Sequence, residues 1–447
     1  MNTKCSIGAG LLLNLSALRN IIISKNREMF LKQLNTPVPE SHTVTQKHKG
    51  ENMMKKNLAL LLVCTLLMAL LAGCGAKSEL SPASTEKPDK NTESAELIWA
   101  DLGITYLKSD GEILMENAEE SFGMPTSSGV DLEPLFTPEV IAKIREGNFT
   151  AVYCGHEDST MWAQAVIGAF DETLEKLGMT LLTSTGSFWD LNDQISKIES
   201  CIEMNPSLMV IYIQDADAYA DVLRKACDKG IYVIGLNGMP TNPEQYETYI
   251  GSIVPDFYKI GYYSMDLICQ RVQEGQVGVS TIIYYGEDSN TRLQGALDAA
   301  ATYDKIEVVR GGDIAMTVES ATEIGETMIM ANPELKGYWA TWDALAIGAG
   351  NGIAALGKEV YVSGPDISDE TSVVSMLTDG KFVGTMAISP TDQGVLLAMM
   401  GALGLVGEEV PDLVLSPGVL FTPETVETAW QYCYGEELSA ELKALLP

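Results

Sequence analysis

The sequence predicts an α/β protein built from two tandem doubly wound parallel-sheet lobes. From Phe149 onward, short apolar runs alternate with segments of helical periodicity, which is typical of βαβ units and of a mainly parallel sheet. The chain has 447 residues, of which 46% are hydrophobic and 20% are charged, so it can form two well-packed cores. Two lobes fit the number of alternations better than one large sheet.

The first series of alternations predicts four strands, at 149–154, 180–183, 208–213 and 232–236. Between them lie predicted helices at 161–177, 191–204 and 216–229, each stopped by glycine or by Asn-Pro. Right-handed crossovers place such helices on both faces of the sheet.

The second series predicts helices at 258–273, 291–301, 320–331, 344–356 and 368–379. It predicts strands at 279–284, 306–309, 337–340 and 361–363. Residues 95–148 show little periodicity apart from a short helix at 138–146, and this segment either caps the first lobe or forms a stalk.

An export signal precedes the lobes. Residues 53–74 read MMKKNLALLLVCTLLMALLAGC, in which two lysines are followed by an apolar run that is short for a membrane span. Its end, from Leu71 to Cys74, resembles the bacterial lipobox, which implies lipidation of Cys74 and an extracytoplasmic, membrane-anchored protein. An ordinary signal peptide or an anchor helix is the alternative. Residues 75–94 are predicted to be a flexible tether, and 1–52 an extension upstream of the true start.

Charge and motif content exclude several classes of protein. The formal net charge of −32 argues against nucleic-acid binding, because phosphate backbones repel an acidic surface. The eight cysteines form no CxxC pair and no Cys/His metal spacing, so unpaired core thiols and no metal or other cofactor are expected. No GxSxG, HExxH, P-loop or Cys/His dyad is present, and an enzyme is not expected. The glycines between Gly348 and Gly352 lack dinucleotide-loop spacing and predict close helix packing.

Residues 148–434 resemble the periplasmic sugar-binding proteins of the ribose-binding and lactose-repressor effector-domain kind. The run from Gly230 to Asn237 resembles the family's "aGipVv..D" strand, and Asp343 to Ala349 resembles its "D..alGa" segment. Further matches in the same order are Gly251-Ser252 with Gly261, Arg292 with Gly295, Gly364-Pro365-Asp366, and Pro390 with Gly394.

The resemblance implies a type I periplasmic-binding fold, in which three crossovers join the lobes and ligand binds between them. By position the crossovers fall near 252–256, 384–389 and 414–420. Lobe 1 is then expected to comprise 149–253 and 388–447, including a C-terminal helix at 423–434, and lobe 2 to comprise 254–387.

Four candidate ligand-binding residues follow strands of lobe 1, where loops converge at the carboxyl edge of a parallel sheet. Trp162 and Trp189 could stack on a sugar, although packing at a helix start or over the lobe is the alternative for each. His156 could contact ligand or serve as a structural hydrogen-bonding group. Asn237 stands where the family often has Asp. Asp190 is expected to cap the next helix.

Three further candidates belong to lobe 2. Arg292 could hold two vicinal oxygens through its guanidinium fork, and a surface salt bridge is the alternative. Trp342 stands where ribose-binding relatives have Asn, and Asp366 is a candidate hydroxyl acceptor. Asp343 is expected to cap the following helix, and Ile388 departs from the family's glutamine.

Together these features predict a monomeric, lipid-anchored solute-binding protein that delivers a sugar to the membrane permease of an ABC importer. The alternative is a sensor that presents a sugar, nucleoside or signal molecule to a membrane receptor kinase. A transcriptional regulator would need a helix-turn-helix where the lipobox and tether stand, and a lipoprotein enzyme would need a catalytic motif.

Overall fold

A computed structural model of the chain describes residues 98–104, 106, 131–282, 287–416 and 418–447. All of them belong to one unit, Glu93–Pro447. The predicted upstream extension, lipobox with Cys74, and tether lie outside the described residues. Within the described part of the chain, no helix combines the length and apolar character needed to cross a membrane.

The described residues form alternating strands and helices. The strands are β1 (Thr150–Cys154), β2 (Thr180–Thr185), β3 (Leu208–Tyr212), β4 (Tyr232–Leu236), β5 (Tyr249–Pro255), β6 (Gly275–Ser280), β7 (Ile306–Arg310), β8 (Leu335–Ala340), β9 (Tyr361–Ser363), β10 (Thr385–Ile388), β11 (Leu413–Ser416) and β12 (Gly418–Phe421). The helices are α1 (Trp99–Leu102), α2 (Pro138–Gly147), α3 (Met161–Leu177), α4 (Leu191–Glu203), α5 (Ala220–Asp228), α6 (Phe257–Val272), α7 (Glu287–Ala301), α8 (Val318–Ala331), α9 (Asp343–Ala355), α10 (Glu370–Thr378), α11 (Pro390–Leu405), α12 (Val426–Tyr434) and α13 (Ala440–Lys443).

The first lobe contains a six-stranded parallel sheet in the order β11-β5-β4-β3-β1-β2. Its central strand β3 is buried along its whole length, as expected for a strand covered on both faces. One face packs against α2, α3 and α11, and the other against α4 and α5. The helix predicted at 138–146 is confirmed as α2, and Thr137 caps it by accepting a hydrogen bond from the amide of Val140.

The second lobe contains a four-stranded parallel sheet in the order β7-β6-β8-β9. Helices α6 and α7 cover one face, while α8 and α9 cover the other. A Cβ atom on Gly352 of α9 would lie 2.2 Å from the carbonyl oxygen of Thr322 in α8, so glycine permits the close approach of the two helices. The expectation of close helix packing is thus confirmed for Gly348 and Gly352, whereas Gly350 faces Val362 of β9.

Three connections join the lobes, and they confirm the predicted two-lobe fold. The chain passes from β5 into α6 at Pro255–Asp256, from β10 into α11 through Ser389, and from β11 to β12 after Ser416. An apolar cluster fills the hinge between them, and its buried members are Val254, Phe257, Ile260, Met386, Ile388, Leu413 and Leu415.

The C-terminal segment packs on the second lobe, so its predicted place in lobe 1 is wrong. Strand β12 pairs antiparallel with β10, which carries the chain away from the first sheet. Val426 and Trp430 of α12 then join the apolar cluster that contains Phe382 and Ile367 of the second lobe. The segment from residue 418 onward therefore completes the second core.

The five described cysteines are free thiols, as the sequence analysis predicts. Cys154, Cys201, Cys269 and Cys433 are buried, and Cys227 is partly buried.

Candidate ligand-binding site

A cavity of about 560 Å³ lies where the loops that follow strands of both lobes converge. The structure brings all seven sequence-predicted binding residues to its wall. They are His156, Trp162, Trp189 and Asn237 from the first lobe, and Arg292, Trp342 and Asp366 from the second.

Four rings form an aromatic cluster on the first-lobe side of the cavity, namely His156, Trp162, Trp189 and Tyr212. His156 lies at its centre, with its ring centroid 3.9 Å from that of Tyr212, 4.1 Å from that of Trp189 and 5.5 Å from that of Trp162. Trp162 and Trp189 both meet Tyr212 edge to face. Such tilted and edge contacts hold the rings in fixed orientations.

Backbone hydrogen bonds connect the loops that carry this cluster. The carbonyl of His156 accepts from the amides of Ser187 and Trp189, at 3.0 and 3.2 Å. Trp189 itself has a positive φ of 65°, and its ring remains 40% exposed at the cavity mouth. Asp190 then caps α4 by accepting from the amides of two following residues, which confirms its predicted capping role.

His156 is only 4% exposed, and burial lowers the pKa of its imidazole against the raising effect of Glu157. Its Nε2 lies 3.6 Å from a carboxylate oxygen of Glu157, which also accepts from the hydroxyl of Thr160. Its Nδ1 is buried and has no hydrogen-bond partner in the part of the chain that the structure describes. Burial therefore favours the neutral form of this imidazole.

Asn237 connects the cavity to the hinge. Its left-handed backbone (φ 58°) follows β4, a conformation that asparagine tolerates better than most residues. Its side-chain oxygen accepts from Nε2 of the buried Gln393 at 2.6 Å, and the same nitrogen lies 3.3 Å from the hydroxyl of Ser416. Ser416 precedes the third crossover, so Gln393 links the Asn237 side chain to the end of β11.

Arg292 and Asp366 form an ion pair on the second-lobe side. The guanidinium Nη1 lies 2.8 Å from a carboxylate oxygen of Asp366 and donates to the carbonyl of Thr341 at 3.1 Å. Its central carbon lies 5.1 Å from the centroid of the Phe257 ring. Arg292 is only 6% exposed, so the surface salt bridge considered from the sequence is not what forms.

Asp366 is oriented by a second contact. Its other carboxylate oxygen accepts from the amide of Ile388 at 3.3 Å. Position 388, where the family's glutamine is missing, thus contributes through its backbone.

Asp343 does not cap α9, contrary to the prediction. Trp342 occupies the N-cap position, and its side chain makes no capping hydrogen bond. The buried carboxylate of Asp343 instead accepts from the amide of Ser368 at 2.7 Å and from the hydroxyls of Ser368 and Ser372. Burial raises the pKa of Asp343 to about 7, against the lowering effect of these hydrogen bonds. Asp343 therefore holds the loop after β9, which carries Asp366, against the start of α9.

Sequence reasoning missed several residues that line the cavity, among them Tyr212, Asp288 and Tyr434. Tyr212 ends β3, and its position inside an apolar strand indicated core packing. Asp288 belongs to the first turn of α7, four residues before Arg292, and a polar residue one helical turn from a predicted contact is a usable signal. Tyr434 ends α12, which was expected on the other lobe.

The cavity therefore presents both aromatic faces and fixed polar groups to a ligand. Aromatic rings pack against the C–H faces of a sugar-like ring, and the polar groups hydrogen-bond its hydroxyls. Among the described residues, no group of three or more His, Cys, Asp or Glu side chains could hold a metal ion.

The chain belongs to a family described as the periplasmic binding protein domain, whose model matches residues 151–409. A curated relative, the D-ribose/D-allose-binding protein of Pseudomonas aeruginosa, is 26% identical over 246 residues, which span 54% of this chain and 75% of the relative.

Solved structures share the fold. An ABC transporter periplasmic solute-binding protein from Actinobacillus succinogenes 130z with bound D-allose has 20% identity and a TM-score of 0.57, over 62% of this chain and 98% of that one. A solute-binding protein from Agrobacterium vitis bound with α-D-tagatopyranose has 17% identity and a TM-score of 0.59. The match covers 64% of this chain and 100% of that one. The predicted type I periplasmic-binding fold is thereby confirmed.

Proposed function

We propose that this protein is the solute-binding component of an ABC importer and that it captures a small polyhydroxylated ligand, a sugar, between its lobes. The convergence of all seven sequence-predicted residues on one cavity carries this proposal. The curated relative is named for ribose and allose, and the solved relatives hold allose and tagatopyranose, which supports a sugar as the ligand class.

Binding would draw the lobes together. The aromatic cluster belongs to the first lobe, and the Arg292–Asp366 pair belongs to the second. A ligand that touches both gains its full set of contacts only when the lobes close, so it favours the closed form over the open one. The bound sugar is then released unchanged, and mass spectrometry of recovered ligand after incubation tests this directly.

A thermal-shift screen against sugars, polyols and nucleosides tests the ligand class. A ligand that binds only the folded protein stabilises it by about 2.7 kcal/mol when present at 100 times its Kd. At least one monosaccharide or polyol should raise the melting temperature. A response to nucleosides alone would contradict the proposal.

We also propose that Cys74 carries the lipid anchor. The two lysines, the apolar run and the lipobox follow one another in the order of a lipoprotein signal. Cys74→Ser should block processing or release the protein into the medium, whereas Cys64→Ser, inside the apolar run, should leave both processing and membrane attachment unchanged. Normal processing and membrane attachment of the Cys74→Ser protein would contradict the assignment.

A further inference from the structure

The wall of the cavity carries more negative than positive charge. Among the described residues that line it, the carboxylates are Glu157, Asp288 and Asp366, and the basic side chain is Arg292. Burial lowers the pKa of the His156 imidazole, which favours its neutral form.

Arg292 is already engaged. Its guanidinium pairs with Asp366 at 2.8 Å and donates to the carbonyl of Thr341 at 3.1 Å. The Nε atom of Arg292 has no partner among the described residues. A ligand carboxylate or phosphate bound there would, however, meet the negative charges of Glu157, Asp288 and Asp366 on the same wall. The cavity is therefore unfavourable for an anionic ligand.

Asp288 forms no ion pair within 4 Å with a described residue. It lies in the first turn of α7, and the contact it makes in the described structure is with the hydroxyl of Ser289, at a long 3.4 Å. Arg292, one helical turn away, attracts the charge of Asp288 but is already paired with Asp366. The cavity wall therefore keeps an excess of negative charge, which a ligand cation would compensate.

Asp288 and the aromatic cluster line the same cavity from the two lobes. Burial and then the charge of Asp288 raise the pKa of Tyr212, which belongs to the first lobe. The negative faces of Trp162, Trp189 and Tyr212 also attract a cation. A carboxylate opposite aromatic rings is an arrangement that suits a protonated amine.

Building on the proposed sugar-binding function, we propose that the preferred ligand is a polyhydroxylated ring that carries one protonated amino group, such as an amino sugar or an aminocyclitol. Its hydroxyls meet Asn237 and the Arg292–Asp366 pair. Its ammonium group lies between Asp288 and the aromatic cluster.

Calorimetric titration of the whole protein with matched compounds tests this inference. The compounds are D-glucose with D-glucosamine, D-galactose with D-galactosamine, and myo-inositol with an inosamine, each measured below the pKa of the amine. D-glucuronate serves as the anionic counterpart. In at least one pair the amine should bind about tenfold or more tightly than its hydroxyl counterpart, and the anion should not bind measurably.

Asp288→Asn provides the decisive variant, because it preserves size and removes the charge. Within this variant, the ratio of the Kd for the neutral sugar to the Kd for its amine should fall to within about twofold. Asp304→Asn, an identical change at an exposed position before β7, should leave the preference intact. Tighter binding of neutral sugars than of their amines, or an amine preference that survives Asp288→Asn, would overturn the inference while the sugar-binding proposal stands. Absence of binding by every polyhydroxylated compound would overturn both.

Discussion

Replacement of Arg292 by methionine should lower the free energy of unfolding, because the structure buries this residue. A surface ion pair, which the sequence alone left possible, would predict a much smaller effect. Methionine keeps an unbranched chain over the Phe257 ring but removes the guanidinium. Asp366 then loses its ion-pair partner at 2.8 Å, and the carbonyl of Thr341 loses its donor. Two partly desolvated groups are left without compensation.

The size of the effect follows from burial. The side chain of Arg292 is 8% exposed and that of Asp366 is 20% exposed. Removing one partner of a buried pair costs about 3–5 kcal/mol, and the residual exposure of Asp366 puts the expected loss near the lower end, about 3 kcal/mol. Adding Asp366→Asn to the same chain should recover about 1–2 kcal/mol, because the orphaned charge is then gone.

Urea denaturation followed by tryptophan fluorescence measures both variants. The linear extrapolation gives the free energy of unfolding, and an unchanged m value shows that the same two states are compared. A loss below about 1 kcal/mol for Arg292→Met, the usual range for an exposed pair, would refute the assignment of a buried, structurally coupled Arg292.

Other positions give independent tests of the structure. Gly352→Ala should lower the free energy of unfolding by about 1–3 kcal/mol because the new methyl meets α8, whereas Gly168→Ala, in an open helix interior, should raise it by about 0.5–1 kcal/mol; urea denaturation measures both, and equal effects would contradict the packing of α9 on α8. The pKa of Asp343 is about 7 in the folded state and about 3.8 in the unfolded state. Between these pH values the folded state retains a proton that the unfolded state has lost, so the free energy of unfolding falls as the pH rises. Asp343→Asn should show a shallower fall than the wild type across this window, and parallel pH profiles would exclude a neutral buried Asp343. Among the described cysteines, Cys227 should react first with a thiol reagent in the native protein and the buried thiols only on unfolding; simultaneous labelling of all five would contradict their burial.

The spacing of apolar residues predicted the bounds of a helix or strand well where that spacing was regular. The helix predicted at 161–177 matches α3, because its apolar spacing is regular and Gly178 ends it in a left-handed conformation. The strand predicted at 279–284 lies four residues too far along the chain, because β6 spans Gly275–Ser280. Strand β6 begins at Gly275, and its first two residues carry no apolar side chain from which a buried strand could be recognised.

The residues of the candidate site could be predicted because parallel strands end at one edge of their sheet. His156, Trp189 and Asn237 each follow a strand of the first sheet, so their meeting follows from topology. The pairing of Arg292 with Asp366 could not be predicted from spacing, because α7 and the loop after β9 meet only when the second lobe folds. Tyr212 was missed since a tyrosine at the end of an apolar strand has the same pattern as a core residue.

The central claim is that both lobes contribute to one ligand site in this cavity. Calorimetric titration with the compound that gives the largest thermal shift tests it most directly, with the wild type compared to one variant from each lobe. Trp189→Ala and Trp342→Ala should each weaken ligand binding by about tenfold or more, because the affinity for the ligand depends on contacts from both lobes. Tyr361→Ala, which removes an exposed aromatic outside the cavity wall, should bind as the wild type does. Wild-type affinity in either tryptophan variant would contradict the claim that ligand bridges the two lobes.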